Sequence, residues 1–188
     1  MDKIVVASGN KGKLREIAQI LDKNEIVGYK EYIDFEIEEN GNSFYENALI
    51  KAKAVSEALN LPALSDDSGI CVEALDGAPG IYSARYAGDG DDEHNNQKLL
   101  KELEGKENRN AKFVSCVVMY YPDGTIISAT GETEGVILEK AEGEHGFGYD
   151  PIFFSKDLNK SFGIATEEEK NSVSHRARAL WALKAKLK

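Results

Sequence analysis

IVVASGNKGKLREIAQIL, at residues 4–21, carries the pattern from which the fold class of this 188-residue chain follows. It begins with a short apolar run rich in β-branched residues and continues through a polar loop. It then places Leu14, Ile17, Ala18 and Leu21 at helical spacing. The pattern predicts a strand, a loop and a helix in that order. A strand followed directly by a helix is typical of α/β proteins.

Two later patterns extend this prediction. Residues 43–46, SFYE, have the form of a capping box, and apolar residues follow them at helical spacing. Residues 112–121 and 125–138 are rich in strand formers and enclose the turn sequence PDG, which predicts an antiparallel hairpin. Alternating strands and helices in the first half, with a hairpin in the second, favour an α/β fold with a mixed sheet.

Shorter patterns predict three more elements. Residues 63–65 and 70–72 are predicted to be strand ends around a polar turn at 66–69, DDSG. A helix is predicted after Asp91 with three leucines facing inward, and the chain is predicted to end on a helix through residues 177–187.

The composition is that of an ordinary globular protein, with 41% hydrophobic and 30% charged residues. No linker or internal repeat divides the chain, so residues 1–188 are predicted to form a single domain. No apolar stretch approaches the ~20 residues that a bilayer requires, and no signal peptide is apparent. Cys71 and Cys116 lie in apolar surroundings without metal-ligand spacing, which predicts reduced thiols. We therefore expect a cytoplasmic protein that does not bind membranes.

The charge balance bears on partners. With 33 acidic and 23 basic residues the net charge is −10. Nucleic acid is therefore not an expected partner, because its binding depends on neutralising phosphates. A small phosphorylated ligand needs only a local cluster of cations, for which the candidates are Lys11, Lys13, Lys51, Lys170 and Arg176.

The loop SGNKGK, residues 8–13, lies between the predicted first strand and first helix. Free backbone N–H groups and the helix dipole favour a phosphate at such a place. The loop is not a Walker A motif, because Leu14 stands where that motif needs Ser or Thr. A plain turn with two solvated lysines is an equal alternative.

Two acidic pairs are candidates for a metal site. Glu38 and Glu39 precede a glycine, and Asp66 and Asp67 lie in the predicted turn. Four carboxylates could converge on a hard cation that prefers oxygen ligands. Acidic residues in turns are also common simply because they are soluble turn formers.

Two segments near the end of the chain are candidates for ligand contact. The sequence GFGYDP at residues 146–151 sets an aromatic ring between two glycines, where it could stack on a flat ligand or pack in the core. Cations are also predicted near a helix start, at Lys170 and in SHR at residues 174–176. A single His at such a place is usually a cap or surface residue. Arg85 is a further candidate.

Taken together, these segments resemble the inosine triphosphate pyrophosphatase family, the Ham1-like non-standard purine NTP pyrophosphatases. The resemblance follows the chain in order through nearly its whole length. The matching segments are SGN with Lys13 and Glu16, FYENALIK at 44–51, SDDSG at 65–69, PGIYSARYAG at 79–88, FGYDPIF at 147–153 and KNSVSHR at 170–176.

The resemblance implies an elongated α/β fold of the ITPase/Maf type, with a mixed β-sheet flanked by helices and two lobes around a central cleft. It also implies a homodimer and a requirement for Mg²⁺. The implied reaction converts ITP, dITP or XTP to the monophosphate and pyrophosphate, which keeps these nucleotides out of DNA and RNA.

The resemblance further implies roles for individual residues. Asp67 would be the catalytic acid–base residue and a metal ligand, and Glu39 the second metal ligand, with Glu38 as its adjacent alternative. Phe147 would stack on the base, Asp150, His175 and Arg176 would lie at its edge, and Lys13 and Lys170 would balance the pyrophosphate. The implied substrate-binding residues are Ser8, Gly9, Asn10, Lys11, Gly12, Lys13, Ser68, Phe147, Gly148, Tyr149, Asp150, Lys170, His175 and Arg176. Lys51 and Arg85 are less secure matches, and Ser8 replaces the Thr of many members.

Two other functions compete with this one. The chain could be a pyrophosphatase that prefers canonical or modified pyrimidine nucleotides, or a nucleotide sensor without turnover. The presence of Asp67, Lys13 and Lys170 favours an enzyme.

Overall fold

A computed structural model describes residues 2–187 of the chain. The strands are β1 (Lys3–Val6), β2 (Glu25–Gly28), β3 (Ala63–Val72), β4 (Asn110–Tyr120), β5 (Ile126–Ile137), β6 (Phe153–Ser155) and β7 (Lys160–Ser161). The helices are α1 (Lys11–Ile20), α2 (Phe44–Leu59), α3 (Asp92–Glu102), α4 (Glu167–Val173) and α5 (His175–Lys186).

Within the described residues, seven strands form one sheet in the order β2-β1-β3-β4-β5-β6-β7. Strand β1 runs parallel to β2 and β3, whereas β5 with β6 and β6 with β7 are antiparallel. The sheet is therefore mixed and accompanied by helices, as predicted. No helix between residues 2 and 187 is long and apolar enough to cross a membrane.

The chain forms two compact units. Unit 1 comprises Met1–Asp67, Ser115–Gly131 and Arg176–Lys188, and unit 2 comprises Ser68–Val114 and Glu132–His175. The prediction that residues 1–188 form a single domain stays a prediction.

In unit 1, helices cover both faces of the sheet. Val117 of β4 packs in one cluster with residues of α1 and α5, including Ile17 and Leu180. Its neighbours Cys116 and Val118 pack in another cluster with Ala48 and Ala52 of α2. Successive residues of a strand point to opposite faces, so α1 and α5 lie on one face and α2 on the other.

In unit 2, aromatic rings fill the core. The ring of Phe153 lies 4.5 Å from that of Phe113 and 5.0 Å from that of Phe162, centroid to centroid. Leu99 and Leu103 are fully buried in the same cluster, which confirms the predicted inward face of α3.

Helix α2 begins at the predicted place, but only the Ser43 half of the predicted capping box forms. The hydroxyl of Ser43 accepts a hydrogen bond from the backbone N–H of Glu46 at 3.1 Å. The carboxylate of Glu46, however, accepts from the N–H of Asn42 at 2.6 Å. The Glu46 carboxylate therefore holds the preceding loop against the start of the helix through Asn42.

Replacing Ser43 with alanine should lower the free energy of unfolding by about 1 kcal/mol, because an N–H of the first helical turn loses its acceptor. Denaturant titration of both proteins measures this change. The turnover rate per folded molecule should be unchanged, and an equal free energy of unfolding in the two proteins would contradict the assignment of Ser43 as the cap.

The predicted turn at residues 66–69 is wrong, because β3 runs unbroken from Ala63 to Val72. Asp66 and Asp67 are buried in the middle of this strand. Consecutive buried carboxylates are tolerated only where cations and hydrogen-bond donors compensate them, and the residues that do so lie far away in the sequence.

Candidate active site

Asp66 is fully buried in β3, and both of its carboxylate oxygens have partners. Oδ1 accepts a hydrogen bond from the hydroxyl of Ser115 in β4. Oδ2 lies 3.1 Å from Nη2 of Arg176 and 3.2 Å from Nζ of Lys13. Burial alone would raise the pKa of Asp66, but Arg176 and Lys13 hold that pKa well below its usual range. Asp66 is therefore an ionised anchor for two cations.

Arg176 is itself buried and connects Asp66 to α1. Its Nε lies 3.2 Å from Asp66 Oδ2, and its Nη1 donates to the carboxylate of Glu16. The resemblance implies Arg176 at the edge of a base, whereas in the structure Arg176 forms ion pairs with these two carboxylates. The resemblance includes Glu16 without assigning it a role, and it does not include Ser115, because the importance of both depends on this distant arginine and aspartate.

Asp67, the next residue of β3, is 6% exposed and has one carboxylate oxygen available. Oδ1 accepts from Nζ of Lys51 at 3.0 Å. Oδ2 is buried and has no hydrogen-bond partner within residues 2–187. Burial raises the pKa of Asp67 above its ordinary value, and the nearby Lys51 and Lys13 offset this only in part. Of the two aspartates, Asp67 is the one equipped to accept a proton or bind a cation.

Lys51 of α2 brings a second carboxylate to Asp67. Its Nζ lies 2.9 Å from Oε1 of Glu39, 3.0 Å from Asp67 Oδ1 and 2.9 Å from the backbone oxygen of Asp66. Burial alone would lower the pKa of Lys51, but Asp67 and Glu39 raise it above its ordinary value. Lys51 is therefore an ammonium ion held by two carboxylates.

The structure distinguishes Glu39 from its neighbour Glu38. In the segment IDFEIEE, residues 33–39, partly buried and exposed side chains alternate, so Glu39 is partly buried and Glu38 is exposed. The hydrophobic residues of this segment pack against a core cluster that includes Val5 and Tyr29. Glu39 continues the inward-facing series, and Glu39 is the one that contacts Lys51.

The loop after Glu39 is attached to the first turn of α2. The N–H of Gly41 donates to Oδ1 of the buried Asn47 at 2.8 Å. A Cβ atom at Gly41 would lie 2.7 Å from Cβ of Glu46 and 2.8 Å from Asn47 Oδ1, so only glycine fits here without a shift. This close approach limits where Glu39, two residues earlier, can lie.

The loop at residues 8–13 leads from β1 into α1, as predicted. Oδ1 of Asn10 accepts from the N–H of Lys13 at 3.0 Å and caps the helix. Asn10 in turn donates its N–H to the hydroxyl of Ser8 at 3.1 Å. Burial lowers the pKa of Lys13, although Asp66 opposes this. Lys13 faces the acidic cluster, while Lys11 is exposed.

Glu39 and Asp67 fit the Mg²⁺ that the resemblance implies. No group of three or more His, Cys, Asp or Glu side chains able to hold a metal occurs between residues 2 and 187. Mg²⁺ usually binds through one or two carboxylates together with water and substrate phosphates, so two suffice. Oδ2 of Asp67, which has no hydrogen-bond partner within residues 2–187, is an oxygen ligand of the required kind.

A second cluster, in unit 2, is organised by Asp150. This residue is 2% exposed, and its Oδ2 accepts from Nζ of Lys170 at 2.6 Å and from the N–H of Phe147 at 3.0 Å. Gly146 has a φ of +74°, and a Cβ atom there would collide with the Asp150 carboxylate. Asp150 therefore sets the conformation of the loop that carries Phe147.

The Phe147 ring is half-buried, and Nζ of Lys170 lies 4.8 Å from its centroid. A cation in this position is attracted electrostatically to the face of the ring. Tyr149, in contrast, is buried, and its hydroxyl donates to the backbone oxygen of Ser83 at 2.6 Å. The buried Tyr149 thus fixes the loop through this hydrogen bond. Gly148 donates its N–H to a carboxylate oxygen of Asp92 at 2.9 Å.

His175 at the start of α5 is not a surface residue. It is 4% exposed, and its ring stacks on Phe113 with centroids 4.7 Å apart and planes 12° apart. Ser68 follows Asp67 in β3 and is partly buried. Arg85 is exposed and lies over the Tyr82 ring, 5.3 Å from its centroid.

The fold and these contacts define an α/β protein with a mixed sheet. Its strand β3 carries two buried carboxylates that are in contact with cations from the helices. The sequence profile of the Ham1 family matches residues 4–186, and the chain belongs to this family. Comparison with individual proteins supports this family membership. The chain is 49% identical over 190 residues to the dITP/XTP pyrophosphatase of Geobacter sulfurreducens, covering 98% of this chain and 96% of that one. It is 50% identical over 192 residues to the dITP/XTP pyrophosphatase of Haemophilus influenzae, covering 98% of each.

Solved structures agree with the fold. The Ham1 protein of Staphylococcus aureus superposes with a TM-score of 0.89 at 43% identity, covering 99% of this chain and 98% of that one. A HAM1 protein from Coxiella burnetii gives the same TM-score at 37% identity, covering 100% of this chain and 98% of that one.

Proposed function

We propose that this chain hydrolyses non-standard purine nucleoside triphosphates, dITP, XTP and ITP, to the monophosphate and pyrophosphate. One observation carries the proposal. Asp67 is a buried carboxylate with one oxygen that no described residue contacts by a hydrogen bond, and Lys51 joins it to Glu39. The relatives named dITP/XTP pyrophosphatase support the choice of substrate, since they match almost the whole chain.

Asp67 is proposed as the general base that orients and deprotonates the water attacking the α-phosphorus. Its buried Oδ2, which has no hydrogen-bond partner within residues 2–187, suits this role, because a general base must lie within hydrogen-bond reach of the proton it removes. Lys13, and the N–H groups at the start of α1, would bind phosphate oxygens. Bound Mg²⁺, held by Asp67 and Glu39, would neutralise charge on the phosphates. The protein otherwise contributes mainly position and electrostatic stabilisation.

The cluster in unit 2 is proposed to bind the base. Phe147 offers a half-buried ring for stacking, and Asp150 and Lys170 hold its loop. His175 would contribute hydrogen bonding at the edge of the base. For Arg176, contact with the substrate stays a prediction. A homodimer is likewise proposed from the family resemblance, and light scattering tests it. A cytoplasmic location is proposed from the free thiols of Cys71 and Cys116.

Removal of divalent metal tests the proposed function. Excess EDTA should abolish hydrolysis of dITP, and added Mg²⁺ or Mn²⁺ should restore it, because Asp67 and Glu39 supply only oxygen ligands. Release of pyrophosphate and of orthophosphate is followed separately. Full activity in excess chelator would contradict a metal role for the two carboxylates. Absence of dITP hydrolysis at any metal concentration would contradict the proposed function.

A further inference from the structure

Lys51 uses all the hydrogen-bonding capacity of its ammonium group on the acidic site. An ammonium has three N–H donors. In Lys51 they face three oxygen atoms at 2.9 to 3.0 Å, from Glu39, Asp67 and the backbone of Asp66. The side chain is 9% exposed, so water contributes little to its charge balance.

Two of these oxygens belong to the carboxylates that the proposed function gives to Mg²⁺. A divalent cation between Glu39 and Asp67 would therefore compete with the ammonium for the same negative charge. It would also be repelled by that ammonium, and the repulsion is strong because little water screens it. Lys13, whose Nζ lies 3.4 Å from the Asp66 backbone oxygen, adds a second positive charge nearby.

We infer that Lys51 occupies the carboxylate pair in the free protein and keeps its affinity for divalent cations low. The metal then enters together with the nucleotide, whose negative phosphates offset the repulsion between the metal and the ammonium. The nucleotide part of this inference rests on the proposed function. Lys51 thereby sets the order of binding and prevents the empty site from sequestering free metal.

Mn²⁺ binding to the free protein, without nucleotide, tests this inference. The EPR signal of unbound Mn²⁺ gives the Kd for the wild type, Lys51→Gln and Lys51→Arg. Lys51→Gln should bind Mn²⁺ at least about tenfold more tightly, since a charge at this distance shifts ionic equilibria by about one to three powers of ten. Lys51→Arg keeps the charge and should bind as weakly as the wild type.

Two further variants locate the effect. Lys53→Gln removes an exposed ammonium from the same helix, paired with Glu57 at 3.9 Å, and should leave the Kd unchanged. In the double variant Lys51→Gln, Glu39→Gln, the gain in affinity should disappear. Circular dichroism establishes that each variant is folded.

A Lys51→Gln protein that binds Mn²⁺ no more tightly than the wild type would overturn the inference. The wild type alone can also overturn it, without relying on any variant: a Kd of about 10⁻⁵ M or tighter, in the range of dedicated sensor sites, would show that Lys51 does not suppress binding. Turnover of dITP, measured in parallel, separates the two proposals. If the wild type hydrolyses dITP but Lys51→Gln does not bind Mn²⁺ more tightly, only the role of Lys51 is rejected. If Lys51→Gln binds Mn²⁺ more tightly but the wild type does not hydrolyse dITP, the proposed function is rejected.

Discussion

Asp67→Asn should lower the turnover number for dITP about 10³-fold, because a well-placed general base contributes about 10² to 10⁴ to the rate. The amide cannot take the proton from water. Its oxygen can still accept a hydrogen bond from Lys51, and Glu39 and the Asp66 backbone continue to hold that ammonium. The thermal midpoint should therefore stay within ~3 °C of the wild type, a change of about 1 kcal/mol or less.

Asp123→Asn is the matched control. Asp123 is exposed at the tip of the β4–β5 hairpin, where its Oδ1 accepts from the N–H of Thr125 at 2.8 Å. An asparagine can make the same hydrogen bond, so activity and midpoint should be unchanged. If Asp67→Asn kept activity within about tenfold of the wild type, a role as general base would be untenable, because the loss would fall below the range for such a group.

Hydrolysis of ITP should exceed that of ATP by on the order of 10⁴ in kcat/KM. A site whose buried polar groups pair with the correct base leaves them unpaired with the wrong one, and such sites discriminate by about 10⁴ to 10⁵. The 6-keto group of hypoxanthine accepts hydrogen bonds, whereas the 6-amino group of adenine donates them. His175 is a buried group of unit 2 able to donate to a keto oxygen.

The same assay identifies the bond that breaks. In ¹⁸O-labelled water, label should enter IMP and not pyrophosphate, because water attacks the α-phosphorus. Attack at the γ-phosphorus would place label in orthophosphate, and that result would exclude a pyrophosphatase. ATP turned over as fast as ITP would instead leave the bond assignment intact and reject the proposed base selection.

The sequence is sufficient for elements whose local signals agree with the contacts made in the fold. The cap of α2 at Ser43, the inward leucines of α3 and the hairpin of β4 and β5 all lie where predicted. Each signal depends on residues a few positions apart, and in these three elements the contacts made in the fold agree with it. Helix α4 is harder to predict from periodicity because it has only 7 residues, yet Thr166 and Glu169 form a capping box that indicates its start.

Parts of the site also had local signals. The alternation in IDFEIEE places Glu39, and not Glu38, on the inward side. Lys51 lies among the buried residues Ala48, Ala52 and Val55 of α2, and a lysine on such a face indicates a buried partner. The identity of that partner is not local, because Glu39 and Asp67 come to Lys51 from opposite directions along the chain.

The sequence by itself determined the family, most helices and strands, and the presence of the acidic pair in the segment SDDSG. Only the tertiary structure decided that this segment is a strand and that its two aspartates differ. Asp66 is neutralised by Arg176, 110 positions away, and accepts a hydrogen bond from Ser115, 49 positions away, so both of its oxygens are occupied. Asp67 points to the other side of the strand, and one of its oxygens has no hydrogen-bond partner in the part of the chain that the structure describes. Neighbouring carboxylates acquire different chemistry because burial makes each one depend on the charges that the fold brings within a few ångströms.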